Sequence, residues 1–271
     1  MDQEIARLKE LTEKSRAMVF FGGAGVSKES GIPDFRSVDG LYHQAYRYPP
    51  ETILSRSFYE KNPEEFYRFY RDKMLYLDAE PNPAHKKLAQ WEREGRLLAV
   101  ITQNIDGLHQ KAGSRNVLEL HGSVHRNYCR RCGKLFDAQY LLRSSEVPRC
   151  DQCGGAVKPD VVLYEEALDQ AVLQKAAGAL RQADLLIVGG TSLTRLSGCR
   201  PAALFPGQPP SGGKSNRPTP GPGGRPAHSG ANRPGLFPAL ILSFILTGRL
   251  FLPAGVPASV FFGTVLVSAS L

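Results

Sequence analysis

The stretch Met18-Val19-Phe20-Phe21-Gly22-Gly23-Ala24-Gly25-Val26-Ser27, continued to Arg36 as KESGIPDFR, decides the fold. Four apolar residues in a row, without alternation, suit a strand buried on both faces of a parallel sheet. The run stops at Gly22 and Gly23, and a strand that ends in glycines is a candidate binding loop. Gly22, Gly23 and Gly25 remove Cβ atoms where the chain turns, so backbone N–H groups can approach a phosphate or ribose, as in nucleotide-binding strand-loop-helix units. The spacing is not G-x-G-x-x-G, and glycine clusters also serve as plain turns. Gly31-Ile32-Pro33-Asp34-Phe35-Arg36 then sets an acid, an aromatic ring and a guanidinium in a proline-stiffened loop beyond the strand, where ligands of open α/β sheets sit. The bland alternative is a solvated loop with a chance ion pair.

Working outward, the same grammar recurs. Upstream, Met1 to Ala17 carries Ile5, Leu8 and Leu11 at helical spacing among charges, which predicts an amphipathic helix and not a secretion signal. Downstream, Gly40 to Pro50 is rich in Tyr, Pro and His without a period and reads as a loop over the site. Asn62-Pro63-Glu64-Glu65 predicts a helix start with Asn62 as N-cap, and Phe66, Phe69, Tyr70, Met74 and Leu77 form an apolar stripe read as core. A helix over Ala84 to Glu94 stops at Gly95. Leu97 to Ile101 is a second buried strand, followed by Thr102-Gln103-Asn104-Ile105-Asp106. Amides and carboxylates at a strand end are what holds ribose hydroxyls and a carboxamide, because they give and accept hydrogen bonds in fixed directions.

Val117 to Leu120 reads as a short strand ending at His121-Gly122. A lone histidine is more often structural than catalytic; this one follows a strand end and titrates near neutrality, which fits a general base. Val161 to Leu163 reads as a strand leading to Tyr164-Glu165-Glu166, followed by a helix over Ala167 to Gln182 and a strand, Leu185 to Val188, ending in Gly189-Gly190-Thr191-Ser192. Strands and helices in this rhythm predict a doubly wound α/β domain.

Cys129-x2-Cys132 and Cys150-x2-Cys153, seventeen residues apart, match the spacing of a zinc ribbon. Gly133 and Gly154 follow the second cysteine of each pair and suit the tight knuckle turn. Four sulfur ligands leave no open position for water, so the metal is expected to be structural. Thiolate ligation fits a reducing compartment, and the body of the protein is expected to be cytoplasmic. Cys199 lies outside the pattern.

The net charge of +8 would invite a nucleic-acid partner, but its distribution argues otherwise. Seven of the 34 Lys and Arg, and none of the 26 Asp and Glu, lie beyond Asp184, so the first 184 residues are within one charge of neutral. No specific nucleic-acid partner is expected.

With these motifs in order, the sequence resembles the sirtuins, NAD-dependent protein lysine deacylases, over residues 1–193. The residues that carry the resemblance are Gly23-Ala24-Gly25-Val26-Ser27 with Ser30 to Arg36, Thr102 to Asp106, His121-Gly122, the four cysteines and Gly190-Thr191-Ser192. The resemblance implies a Rossmann-like doubly wound parallel sheet with a small inserted zinc-ribbon domain, at about 124–157, and NAD meeting an acetylated protein lysine in the cleft between them. It further implies that the loop from Ala24 to Arg36 binds NAD, through Gly23, Ala24, Gly25, Ser27, Asp34, Phe35 and Arg36. Gln103, Asn104, Asp106, Gly190, Thr191 and Ser192 complete the cofactor site, with Phe35 near the nicotinamide. Asn104 and Asp106 would hold the ribose and carboxamide, and His121 would be the general base. In the family's reaction the acyl oxygen attacks the nicotinamide ribose carbon, and the histidine accepts a ribose hydroxyl proton; nicotinamide, free lysine and O-acyl-ADP-ribose leave. Members that prefer acidic acyl groups carry Tyr-x-x-Arg where this chain has Tyr70-Arg71-Asp72-Lys73, so acetyl-lysine is the expected substrate.

The chain also departs from the family's pattern. Tyr164-Glu165-Glu166 stands where Phe-Gly-Glu is usual in the peptide-docking loop, and Thr194-Arg195-Leu196-Ser197 stands where a Val-rich, Pro-Ala segment is usual. Residues 194–235 are crowded with Pro, Gly, Ser and Arg and are expected to be disordered; 236–271 is an apolar tail broken by Pro238, Gly248, Arg249, Pro253, Gly255 and Pro257. About a dozen acids would be expected beyond residue 184 at ordinary usage, which suggests a shifted or foreign reading frame after the last motif. The expected tail is disordered or misfolded, leaving the sheet without its final strands. Two alternatives to an active deacetylase follow: an inactive zinc-stabilised fragment that binds NAD or acetyl-lysine peptide weakly, or a chain anchored to a membrane through 236–271.

Overall fold

The computed structural model describes residues 2–34, 47–144, 146–191, 239–244 and 265–270. At its centre lies β1 (Met18–Gly22), paired in parallel with β2 (Leu97–Thr102) on one side and β7 (Leu185–Gly189) on the other. A short β3 (Val117–Glu119) extends the sheet beyond β2, giving the parallel order β3-β2-β1-β7. The absence of alternation in Met18 to Phe21 has a plain cause. Met18 and Phe20 enter one apolar layer with Leu8 and Leu11 of α1 (Asp2–Lys14) and Leu88 and Trp91 of α5 (Pro83–Arg93). Val19 and Phe21 enter the opposite layer with Val172, Leu173, Ala176 and Leu180 of α8 (Gln170–Gln182). Both faces are covered, so both must be apolar. The α/β sheet expected from the sequence is therefore present, and its strand order reverses between β1 and β7, where open α/β sheets bind ligands.

The second domain is assembled from two separate pieces of chain. One is helical: α2 (Pro50–Ile53), α3 (Arg56–Lys61) and α4 (Pro63–Lys73). The other is a three-stranded antiparallel sheet of β4 (Gly122–Cys129), β5 (Leu135–Phe136) and β6 (Val157–Val161), with α7 (Ala138–Arg143) beside it. Phe66, Tyr67, Phe69 and Tyr70 of α4 form one core with Val124, Phe136, Leu141 and Val157 of the ribbon. The aromatic stripe is core, as expected, but the core of the small domain. The ribbon runs wider than 124–157, from Gly122 to Val161.

Several boundaries shift for identifiable reasons. The strand expected over Val161 to Leu163 is β6, ending at Val161; Pro159 sits inside it because β6 is a sheet edge, where proline is tolerated. The helix expected from Ala167 begins at Gln170, since Asp169 caps it by accepting from the Ala171 and Val172 N–H groups at 2.7 and 3.2 Å. Asn62 precedes α4 but makes no side-chain cap bond, whereas Ser55 caps α3 through the Phe58 N–H.

Beyond the last glycine loop the expectation of a sheet without outer strands is corrected for two segments. β9 (Val265–Ser270) pairs antiparallel with β7, and β8 (Ala239–Phe244) antiparallel with β9. The open edge of β7 is a template for strand addition, and both segments are apolar and proline-free. The expected disordered span, 194–235, lies wholly outside the described residues. Of the loop expected over Gly40 to Pro50, residues 40–46 lie outside them as well, and Pro50 already opens α2. No helix among the described residues is long and apolar enough to cross a membrane.

Candidate functional site

The floor of the site is made by two glycine turns pressed together. Gly23 N–H donates to the Gly189 carbonyl and Gly25 N–H to the Gly190 carbonyl, each at 2.9 Å. A Cβ on Gly190, which has φ of +66°, would lie 2.3 Å from the Val26 nitrogen, and one on Gly23 would lie 2.7 Å from the Gly190 oxygen. These glycines serve the close approach of the β1 and β7 ends. The Gly23 and Gly25 amides are thus bonded within the protein, which leaves other N–H groups of the loop to face a ligand. The chain then enters a 3₁₀ helix, Ala24–Ser30, whose Ser27 is buried and whose end turns at Gly31 in the left-handed region. Asn82 donates to the Val26 carbonyl at 2.7 Å and fixes this turn from the start of α5.

The segment after β2 supplies the polar wall. Asn104 Nδ2 donates to Ser27 Oγ at 3.0 Å, and Ser27 Oγ donates to Asp106 Oδ2 at 2.6 Å. The other Asp106 oxygen accepts the Leu108 N–H at 2.9 Å, at the start of the short helix α6 (Leu108–Lys111). Asn104 itself is held by its N–H to Thr102 Oγ1. Gln103 is the hub: its side-chain oxygen accepts from Thr191 Oγ1 at 3.1 Å, tying the β2 loop to the β7 loop, and its main-chain carbonyl lies 2.9 Å from His121 Nδ1. Asp34 stands 3.5 Å from Lys28 Nζ.

A carbonyl can only accept, so the Gln103 contact places the His121 proton on Nδ1 and leaves the Nε2 lone pair available. Burial pushes the His121 pKa below the ordinary 6.5, partly offset by the Gln103 bond, so the ring is neutral at neutral pH, the form a base needs. His121 joins the sheet to the small domain: the Val162 N–H donates to its carbonyl at 3.0 Å. Gly122, at φ +73°, passes so near Asp160 that a Cβ would stand 1.8 Å from that carbonyl.

The structure thus gathers Ser27, Gln103, Asn104, Asp106, His121 and Thr191, with the turns of Gly23, Gly25 and Gly190, at the carboxyl ends of the parallel strands. Ala24 and Asp34 lie in the same loop after β1. Phe35, Arg36 and Ser192 lie outside the described residues. Thr102, part of the expected segment, acts through its hydroxyl on the Asn104 N–H. Two contributors were not foreseen: Asn82 bonds the Val26 carbonyl, and His125 Nε2 lies 2.9 Å from the Asp106 carbonyl. The left-handed Gly107 beneath the His125 ring was a local signal for the last of these.

The four cysteines meet as the spacing predicts. The Sγ atoms of Cys129, Cys132, Cys150 and Cys153 all lie within 4.8 Å of one another, and none forms a disulfide. Tetrahedral zinc with Zn–S of about 2.3 Å needs sulfurs roughly 3.8 Å apart, so this set fits zinc. The Cys132 and Arg131 N–H groups point at Cys129 Sγ and hold its pKa down at about 6, favouring the thiolate that a metal requires.

Comparison with known proteins agrees with this geometry. A model of the Sir2 family matches residues 23–197. An NAD-dependent protein deacetylase of Clostridium acetobutylicum is 58% identical over 193 residues, covering 70% of this chain and 79% of that protein. One of the same name from Listeria monocytogenes is 47% identical over 186 residues, covering 69% and 79%. A solved Sir2 complex with deacetylated p53 peptide and 3'-O-acetyl ADP ribose is 42% identical, with a TM-score of 0.64 over 69% of this chain and 76% of that one. A family match over most of the chain and relatives at this identity establish that the chain belongs to the Sir2 family, the sirtuins.

Proposed function

We propose that this chain is an NAD-dependent protein lysine deacetylase, acting on acetylated lysines of proteins and releasing nicotinamide. The observation that carries the reading is the double engagement of Gln103, which fixes the His121 tautomer through its carbonyl and the Thr191 loop through its side chain. The Ala24–Arg36 loop, Gln103, Asn104, Asp106 and Gly190 to Ser192 are the residues that would hold NAD. When bound, NAD supplies an electrophilic ribose carbon and nicotinamide as leaving group. His121 Nε2 takes a hydroxyl proton, and the Ser27 hydroxyl keeps the Asp106 carboxylate oriented. Cys129, Cys132, Cys150 and Cys153 would hold a zinc ion, which with four sulfur ligands would stabilise the ribbon and leave no open position for chemistry. Four thiols kept available for a metal support a reducing compartment, and a cytoplasmic location is the reading that fits it.

One observation favours a second reading, a zinc-stabilised fragment without turnover: about a fifth of each relative just described has no counterpart in this chain. A shifted reading frame after residue 193 accounts for that loss. Nicotinamide release from NAD and an acetylated peptide separates the two readings. Translation of the other two frames tests the shift, which fails if neither encodes a Val-x-Pro-Ala segment.

A further inference from the structure

Glu165 occupies an unusual position. Among the described residues it is the one non-glycine residue with a left-handed backbone, at φ +74°. The Glu166 N–H donates to the Leu163 carbonyl at 3.0 Å, so Glu165 is the third residue of a turn that glycine or asparagine ordinarily fills. Such strain persists where the surroundings hold it and where it serves the site. What holds it is visible. Both carboxylate oxygens of Glu165 are engaged by Ser57, one by its N–H at 2.9 Å and the other by its hydroxyl at 3.0 Å. Ser57 lies in the first turn of α3, whose amides have no partner within the helix. On either side, the Tyr164 carbonyl accepts the Arg56 N–H at 3.0 Å and the Tyr164 N–H donates to Leu54 at 2.9 Å. Glu166 accepts from the Leu163 N–H and from Lys158, closing the turn from within.

The other end of this loop is Val162, whose N–H is the donor to the His121 carbonyl. We propose that Glu165 is a positioning residue: by latching the 162–166 loop to α3 through Ser57, it fixes the Val162 amide and with it the main chain of His121. The carboxylate replaces, by tethering, the conformational ease that glycine would supply. This rests on His121 being the base of the deacetylase reading, so one arm of the test is independent of turnover.

In the full chain, Glu165→Ala keeps a Cβ in the left-handed turn and removes the tether. Amide exchange at Ser57 and Val162 should then accelerate about tenfold or more, with β1 and β2 amides unchanged. Glu165→Gln should restore slow exchange, since its Oε1 accepts the Ser57 N–H and its Nε2 donates to a hydroxyl that can also accept. Glu165→Gly, relieved of strain but untethered, should fall between. In turnover of an acetyl-lysine peptide, Glu165→Ala should lower kcat about tenfold with KM for peptide and NAD within about twofold, and Glu165→Gln should recover it. Unchanged exchange at Val162, a loss confined to KM, or loss of protection throughout β1 and β2 overturns the proposal. If the unaltered chain releases no nicotinamide, the deacetylase reading fails, and exchange at Val162 alone decides the latch.

Discussion

In the sheet, alternate residues of β1 enter two separate apolar layers, and the strand is paired along its length by β2 and β7. In the small domain there is one core, β5 contributes two paired residues, and Cys129 and Cys150 are themselves core members beside Phe136, Leu141 and Val157. The sheet closes by apolar burial on both faces. The small domain closes on one side by helices and on the other by thiolates, so its integrity is linked to a metal and that of the sheet is not.

The largest expected effect breaks this comparison at the ribbon. Chelation, or Cys150→Ser, should remove one zinc per chain and about 10 kcal/mol of linked stability from the small domain. Hydrogen exchange should then become fast across β4, β5 and β6 while β1, β2 and β7 stay protected. A metal-free chain with β4 to β6 fully protected refutes the assignment.

His121→Ala should leave both domains standing and remove the chemistry between them. A loss of about 10²–10⁴ in kcat is expected, with zinc content and NAD affinity retained. Surviving activity would place the base elsewhere. Gly122→Ala attacks the seam itself, adding a Cβ where the Asp160 carbonyl leaves no room and the backbone is left-handed. Destabilisation of about 3 kcal/mol is expected from urea unfolding, well above the roughly 1 kcal/mol of an ordinary surface change.

Sequence and structure meet unevenly across the two domains, for physical reasons. β1, β2 and β7 were legible because burial on both faces writes an uninterrupted apolar run, as in Met18 to Phe21. The four cysteines were legible because a tetrahedral metal fixes their spacing. The composite small domain was not: nothing in Phe66 or Tyr67 says that the apolar face of α4 meets Val157 rather than the sheet. The short helices α2 and α3 lacked the repeats on which periodicity depends, and Pro159 hid an edge strand. The network Asn104, Ser27, Asp106 was legible as residue types, while the Gln103 bridge needed the β2 and β7 loops to be side by side.

A smaller effect tests the sheet domain by pH. His85 and His109 are fully buried there, with ring centroids 4.6 Å apart, and their ring nitrogens have no hydrogen-bond partner among the described residues. Burial, reinforced by His85, pushes His109 down to about 3; burial also lowers His85, with Asp106 opposing. The unfolded chain binds protons near pH 6.5 and the folded chain does not until much lower pH. Stability is therefore complete above about 6.5 and falls as pH drops toward 3, by about 2 kcal/mol at pH 5 from His109 alone. Exchange of β1 and β2 amides at pH 7.5 and 5 measures this apart from zinc loss in the ribbon. A flat response would mean that the pair is hydrated or charged.

The smallest expected effect concerns acyl choice, and it lies on the helical side of the small domain. Tyr70 is fully buried, stacked on Phe66 with ring centroids 5.6 Å apart, and its hydroxyl has no hydrogen-bond partner among the described residues. Lys73, one turn on, pairs with Asp72 at 3.1 Å. A carboxylate at the end of an acyl chain would have to compete with Asp72 for a point charge on a flexible stem, where a guanidinium would offer two fixed donors. Acetyl-lysine peptide should therefore be turned over with a kcat/KM about tenfold above succinyl-lysine, a difference of roughly 1.4 kcal/mol at the transition state. Lys73→Arg should narrow that ratio without lowering acetyl turnover. Faster turnover of the succinyl peptide by the unaltered chain would show that Lys73 leaves Asp72 for the substrate, and that the helical half of the small domain selects the acyl group by charge.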